Sequence, residues 1–67
     1  MKVYVEKEDR HISIDNLKDK YTGKSLLEFL KINPGTVLLV RNDEVVLEDE
    51  IFEQDDDIKI LSVISGG

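Results

Sequence analysis

The pattern of hydrophobic and polar residues predicts two strands at the start of the chain. Residues 2–6 and residues 11–15 each alternate between aliphatic and polar side chains, which is the period of a half-buried strand. A polar break at residues 8–10 separates them, so the two segments predict an antiparallel hairpin. The aliphatic side chains expected on its core face are Val3, Val5, Ile12 and Ile14.

The period becomes helical over residues 22–33. The side chains that share one side of this predicted helix are Leu26, Leu27 and Leu30, with Phe29 at the margin of that side. Thr22 and Ser25 are both candidate N-caps, and Ser25 with Glu28 has the spacing of a capping box. Pro34 and the glycine after it predict the end of the helix.

Three more strands are predicted in the second half of the chain. The aliphatic run over residues 36–41 is typical of a strand that is covered on one face and partly covered on the other. Asn and Asp at residues 42–43 fit a tight hairpin to a short strand over residues 44–47. A last strand is predicted over residues 58–64. In that strand Ile58 and Ile60 should face the core, and Lys59, Leu61 and Val63 should face the other way.

The order of elements predicts the fold class. Residues 48–57 are acidic and are expected to form a solvated surface connection that Ile51 and Phe52 pin to the core. One mixed sheet must bury one apolar face, and the single helix is the only element that can cover it. We therefore predict an α+β fold of the β-grasp type, with the first and last strands parallel at the centre of the sheet. The expected domain is residues 1–64, followed by a flexible tail at residues 65–67.

Composition narrows the possible functions. A chain of 67 residues without cysteine must rest on one apolar core. Its net charge of −6 repels nucleic acid and anionic membranes and favours a basic protein partner. The amino terminus lacks the pattern of a signal peptide, and no apolar run approaches the roughly 20 residues that span a bilayer. We therefore expect a soluble, cytoplasmic protein.

Three features of the sequence suggest a binding or catalytic site but lack part of the pattern that such a site needs. Residues 23–25 (Gly-Lys-Ser) match the end of a phosphate-binding loop, but Lys18 stands where its first glycine belongs. The acidic run at residues 55–57 lacks the glycine and glutamate of a calcium loop, so a solvated turn is the better interpretation. His11 has no cysteine or second histidine with which to build a triad. We expect neither a metal site nor enzyme activity.

Three segments of the chain together resemble a known protein family. They are residues 25–30 in the helix, residues 40–46 in the predicted hairpin, and residues 55–60 leading to the terminal Gly66-Gly67. Over nearly its whole length the chain resembles the ThiS/MoaD group of ubiquitin-like sulfur carriers. It departs from that group in having Asp43 and Asp56 at turn positions where the family has glycine. Aspartate can still adopt positive φ there, at some cost.

The resemblance implies a function for the tail, Ser65, Gly66 and Gly67. In the family, a partner enzyme of the ubiquitin-activating type uses ATP to adenylate the terminal carboxylate, and sulfur from a persulfide donor converts it to a thiocarboxylate. Gly67 would be the group acted upon, and Gly66 and Ser65 would thread the partner's channel, where the lack of Cβ atoms allows close approach. By analogy, Leu61 and Val63 would contact the partner. Packing against a neighbouring loop is the alternative for those two side chains.

The resemblance leaves the destination of the sulfur open. An acceptor synthase would use it in thiamine thiazole synthesis, molybdopterin synthesis or tRNA thiolation, and the shortness of the chain slightly favours thiazole synthesis. A protein modifier joined to target lysines through Gly67 would need the same tail. A β-grasp interaction domain that is never activated is the third possibility, and a glycine-rich terminus can also be a frayed end.

Overall fold

The structure is a computed structural model, and it describes residues 1–17 and 19–63. Within these residues the chain forms a five-stranded mixed sheet and one α-helix, which confirms the predicted β-grasp architecture. The elements are β1 (Lys2–Val5), β2 (Arg10–Ser13), α1 (Gly23–Leu30), β3 (Val37–Arg41), β4 (Glu44–Val46) and β5 (Asp57–Ser62). One short 3₁₀ helix, Glu6–Glu8, follows β1, and another, Pro34–Thr36, precedes β3.

The strands lie in the order β2-β1-β5-β3-β4, so the last strand is the central one. β1 and β5 are parallel, as predicted, with Val3 opposite Ile58 and Val5 opposite Ile60. The other three strand pairs are antiparallel. Because β5 has a neighbour on each edge, its register determines which of its side chains enter the core and which point away from it.

One face of the sheet packs against α1 and forms the core. Leu26 and Leu27 of the helix and Ile58 and Ile60 of β5 are almost completely inaccessible to solvent. The other buried apolar side chains are Met1, Val3, Val5, Leu39 and Phe52. Ile12 and Ile14 pack against this cluster half-buried, which confirms the predicted core face of the first hairpin.

The helix begins and ends through backbone geometry that the sequence predicted only in part. Thr22 is the N-cap, since its Oγ1 accepts a hydrogen bond from the N–H of Ser25 at 3.2 Å. Lys31 ends the helix in the left-handed conformation, with φ of 59°. The predicted capping box of Ser25 with Glu28 and the predicted extent to residue 33 are therefore wrong. Pro34 instead begins the next 3₁₀ helix.

Two apolar side chains lie outside the core that the pattern predicted. Phe29, expected at the margin of the buried side of the helix, is 66% exposed. Leu26, Leu27 and Leu30 are the side chains of α1 that pack in or against the core. Ile51 is 49% exposed, whereas Phe52 is buried, so of the two apolar side chains only Phe52 joins the core.

The acidic run before β5 is the main correction to the sequence analysis. Asp56 is buried, so the prediction of a fully solvated turn is wrong at this residue. Its carboxylate accepts hydrogen bonds from Arg41 Nε at 2.8 Å, Asn42 Nδ2 at 3.1 Å and the N–H of Glu53 at 2.8 Å. The β3–β4 turn is thus tied to the start of β5. Asp43 does have a positive φ, of 71°, as expected, whereas Asp56 does not.

The same contacts affect the acidity of Asp56. Burial acts to raise its pKa, but the hydrogen bonds from Glu53 and Asn42, together with the charge and hydrogen bond of Arg41, outweigh burial and lower the pKa. The ionised form is therefore the one that the folded protein favours.

The packing of the core predicts that two residues of α1 contribute very differently to the free energy of unfolding. Leu26→Ala leaves a cavity and should reduce the free energy of unfolding by roughly 2–5 kcal/mol. Phe29→Ala removes a larger but exposed side chain and should change it by less than about 0.5 kcal/mol. Urea unfolding followed by circular dichroism measures both. Similar losses in the two variants would contradict the described packing.

Asp56 predicts a pH dependence of stability. Because its pKa is lower in the folded chain than in the unfolded chain, its contribution is present above the unfolded pKa and is lost as pH falls through the folded pKa. Asp56→Asn should lower the urea midpoint of unfolding at pH 7. It should also make that midpoint decrease less steeply as the pH falls. Asp55→Asn, at the exposed neighbour, is the control. An acid decline in Asp56→Asn as steep as in the unmutated protein would overturn this assignment.

Candidate functional site

The face of the sheet opposite α1 divides into a polar half and an apolar half. On β1 and β2, the outward residues are polar or aromatic, as shown by Tyr4 opposite His11. On β3, β4 and β5, Leu38 lies opposite Leu61 and Val40 lies opposite Val45. We call the following residues the apolar outer face: Leu38, Val40, Val45, Leu61 and Val63.

The two residues that the sequence analysis proposed as partner contacts, Leu61 and Val63, belong to this face. Leu61 is half-buried beside Leu38, and Val63 is 48% exposed. Since Val63 is neither fully exposed nor buried, the alternative of packing against a neighbouring loop stays open. Their role in contacting a partner stays a prediction.

Three residues of the apolar outer face were not proposed from the sequence. Val45 is 63% exposed, Leu38 is 37% exposed and Val40 is half-buried. The available signal was the unbroken aliphatic run before Arg41, since a strand without polar alternation places apolar side chains on both faces. Which strands those side chains would meet depends on sheet order, which the pattern did not supply.

Charged groups border the apolar outer face at the end where β5 begins. Lys59 Nζ lies 3.8 Å from Asp43 Oδ1, and both side chains are well exposed, so this ion pair contributes little to stability. Asp43 lies in the β3–β4 turn, and Asp57 begins β5 just before the core residue Ile58. The combination is an apolar surface with an acidic edge, which is complementary to an apolar surface with basic residues at its border.

The predicted tail, Ser65, Gly66 and Gly67, lies outside the described residues. The structure does describe the residues that lead to it. The N–H of Ser62 donates to Glu6 Oε1 at 3.1 Å, and the N–H of Val63 donates to the carbonyl of Thr36 at 3.1 Å. The chain therefore approaches the tail from the end of the central strand, beside the apolar outer face.

The amino-terminal end of α1 is occupied by the protein's own backbone. The N–H groups of Gly23 and Lys24 donate to the carbonyls of Glu50 and Glu48 at 3.2 and 2.7 Å. A Cβ atom on Gly23 would come within 2.6 Å of the Leu39 side chain and 3.2 Å of the Glu48 backbone, so a larger residue here would displace its neighbours. These contacts agree with the rejection of a phosphate-binding loop at residues 23–25.

The polar half of the outer face contains an aromatic pair and a side-chain hydrogen bond. The ring of His11 lies 4.7 Å from that of Tyr4, and Tyr4 donates its hydroxyl to Asp9 Oδ1 at 2.8 Å. That hydrogen bond is the main reason that the pKa of Tyr4 is raised.

Among residues 1–17 and 19–63, no three His, Cys, Asp or Glu side chains lie close enough together to hold a metal ion. None of the helices in these ranges has the length and apolar character needed to cross a membrane.

Comparison with known proteins gives two matches. The family described as the ThiS family matches residues 3–67, a range that includes the tail and all of the sheet except its first residue, Lys2. The sulfur carrier protein TtuB of Thermus thermophilus is 49% identical over 45 residues, which are 66% of this chain and 68% of that protein.

Proposed function

The chain belongs to the ThiS family, and we propose that it is a sulfur carrier whose Gly67 carboxylate receives the sulfur. The observation that carries this proposal is the family match, because it extends through the Gly-Gly sequence at residues 66–67. The similarity to a protein named as a sulfur carrier supports it. The protein is then a substrate of its partner enzymes.

The proposed chemistry begins with activation of a poor acyl donor. An oxygen of the Gly67 carboxylate attacks the α-phosphorus of ATP on the adenylating enzyme, and pyrophosphate leaves. The terminal sulfur of a persulfide then attacks the carbonyl carbon, and AMP leaves. A partner thiol cleaves the resulting acyl disulfide, which yields the thiocarboxylate and a disulfide. Since the chain contains no cysteine, the persulfide and the thiol both come from partner proteins.

The apolar outer face is the proposed docking surface for the adenylating enzyme. It lies beside the residues that lead to the tail, so a partner bound there has Gly67 within reach. Exposed apolar area of this kind supports protein association, and the acidic edge at Asp43 and Asp57 favours a basic rim on the partner. The net charge of −6 would accelerate the encounter at low ionic strength.

An acceptor synthase takes the sulfur in the last proposed step. The three destinations that the resemblance implies are thiamine thiazole, molybdopterin and thiolated tRNA. They share the same thiocarboxylate donor, so the choice among them depends on which synthase recognises the body of the carrier.

The proposed thiocarboxylate predicts a mass change. Protein isolated from its native host under non-reducing conditions should contain a species heavier by the difference between one sulfur and one oxygen atom, located on the carboxy-terminal peptide. A variant that lacks Gly67 should show no such species and should lose activity as a sulfur donor. Lysine-linked conjugates of higher mass without a free thiocarboxylate would favour a protein modifier instead. Unchanged sulfur transfer without Gly67 would contradict the proposal.

The proposed docking surface predicts which exposed apolar residues matter for adenylation. Leu61→Ala with Val63→Ala should raise the KM of the carrier in ATP–pyrophosphate exchange about tenfold, as expected when central interface contacts are truncated. Phe29→Ala is the matched control, because Phe29 is equally apolar and more exposed but lies on the helix. A larger effect at Phe29 would place the docking surface on the helical side.

A further inference from the structure

The central strand continues past the end of its parallel neighbour. The last pair between β1 and β5 joins Val5 to Ile60, and the chain then enters the 3₁₀ helix that begins at Glu6. Backbone N–H groups along a strand point alternately to its two neighbours. Since the N–H of Val63 points to Thr36 on the β3 side, the N–H of Ser62 points to the β1 side, where that strand has ended.

The side chain of Glu6 takes the place of the missing strand partner. Its Oε1 accepts the N–H of Ser62 at 3.1 Å, although the two residues are 56 positions apart in the sequence. A carboxylate that accepts a backbone N–H makes a charge-assisted hydrogen bond. The last residue of β5 is therefore held on the β1 side by a side chain and not by the sheet.

The turn that carries Glu6 is itself fixed. The N–H of Asp9 donates to the carbonyl of Glu6 at 3.1 Å, and Asp9 closes the turn in the left-handed conformation, with φ of 47°. The hydroxyl of Tyr4 donates to Asp9 Oδ1 at 2.8 Å, which ties the turn back to β1. Glu6 is thus held next to the end of β5 before any partner binds.

On the opposite edge, the carbonyl of Thr36 holds Val63, and Thr36 is held in turn by Asn33. The N–H and Oγ1 of Thr36 donate to the carbonyl of Asn33 at 3.0 and 2.7 Å. The last two residues before residue 64 are therefore fixed from both sides by hydrogen bonds.

We propose that Glu6 is a positioning residue that sets the direction in which the tail leaves the sheet. This inference rests on the proposed function of Gly67, because direction matters only if the tail enters a partner's channel. Each residue of the tail adds rotatable bonds, so an unrestrained start would multiply the conformations from which the partner must select. Fixing Ser62 lowers that entropic cost before docking and favours the orientation needed for reaction.

The contact can be tested in the free protein with three variants. Glu6→Ala removes the acceptor, Glu6→Gln keeps an oxygen that can accept the same N–H, and Glu8→Ala removes the same charge from the same 3₁₀ helix. Hydrogen exchange of the Ser62 amide, measured by NMR, should become about tenfold faster in Glu6→Ala, as expected for the loss of one hydrogen bond. It should stay close to the unmutated rate in the other two variants. Unchanged exchange in Glu6→Ala would overturn the proposal.

The consequence for reaction is tested by ATP–pyrophosphate exchange with the adenylating enzyme. Because the apolar outer face is intact, Glu6→Ala should leave KM within about twofold and lower kcat about threefold to tenfold, and Glu6→Gln should restore most of kcat. Equal loss in Glu8→Ala, or no recovery in Glu6→Gln, would overturn the positioning role. If the unmutated chain is not adenylated at all, the proposed function of Gly67 fails, whereas the Ser62 exchange still decides whether Glu6 holds the strand end.

Discussion

The parallel pairing of β1 with β5 is the constraint on which the rest of the molecule depends. It brings the first and last strands of the chain together, so every other element lies in the connection between them. The core face closes only when Val3 and Val5 meet Ile58 and Ile60. Contacts this distant in sequence are costly to form, since closing the long intervening loop reduces the conformational entropy of the chain. In return, the last strand is held at the centre of the sheet.

A central last strand lets one segment serve two purposes. Ile58 and Ile60 point into the core, while Lys59 and Leu61 point to the outer face. One carboxylate contacts each end of β5, and the two carboxylates lie in different environments. Asp56 is buried at the start of β5 among three donors, so loss of its charge affects stability. Glu6 is exposed at the other end, where a hydrogen bond contributes less to folding and more to local direction.

The sequence predicted the fold because its periodicities agree with one another. Five segments of strand period and one of helical period leave few ways to bury one apolar face. The errors arose where local pattern does not determine the answer. Three consecutive aspartates look alike, and Asp56 is distinguished only by Arg41 and Asn42 on another strand and its turn. Lys31 ends the helix at positive φ without the glycine that usually marks such an end.

The candidate site was predictable to a similar degree. The Gly-Gly motif and the outward position of Leu61 could be read from residue types and spacing. Leu38, Val40 and Val45 could not be assigned to the apolar outer face without the order of the strands, because they contribute to it only through β3 and β4. The contact between Glu6 and Ser62 has no local signal at all. It follows from β1 ending before β5 does.

In the proposed function, reach distinguishes the Gly67 carboxylate from the 15 aspartate and glutamate side chains of the same chain. All are carboxylates, and none is a good acyl donor without activation. A side-chain carboxylate stays within a few bonds of the folded domain. Because the domain is too wide to enter a narrow channel, such a carboxylate cannot reach the nucleotide inside it. The terminal carboxylate follows two residues without Cβ atoms and can extend at most about 14 Å beyond Val63. Under this proposal, a partner docked on the apolar outer face would select its substrate by distance and width, and the acidity of the carboxylate would not need to differ from that of the others.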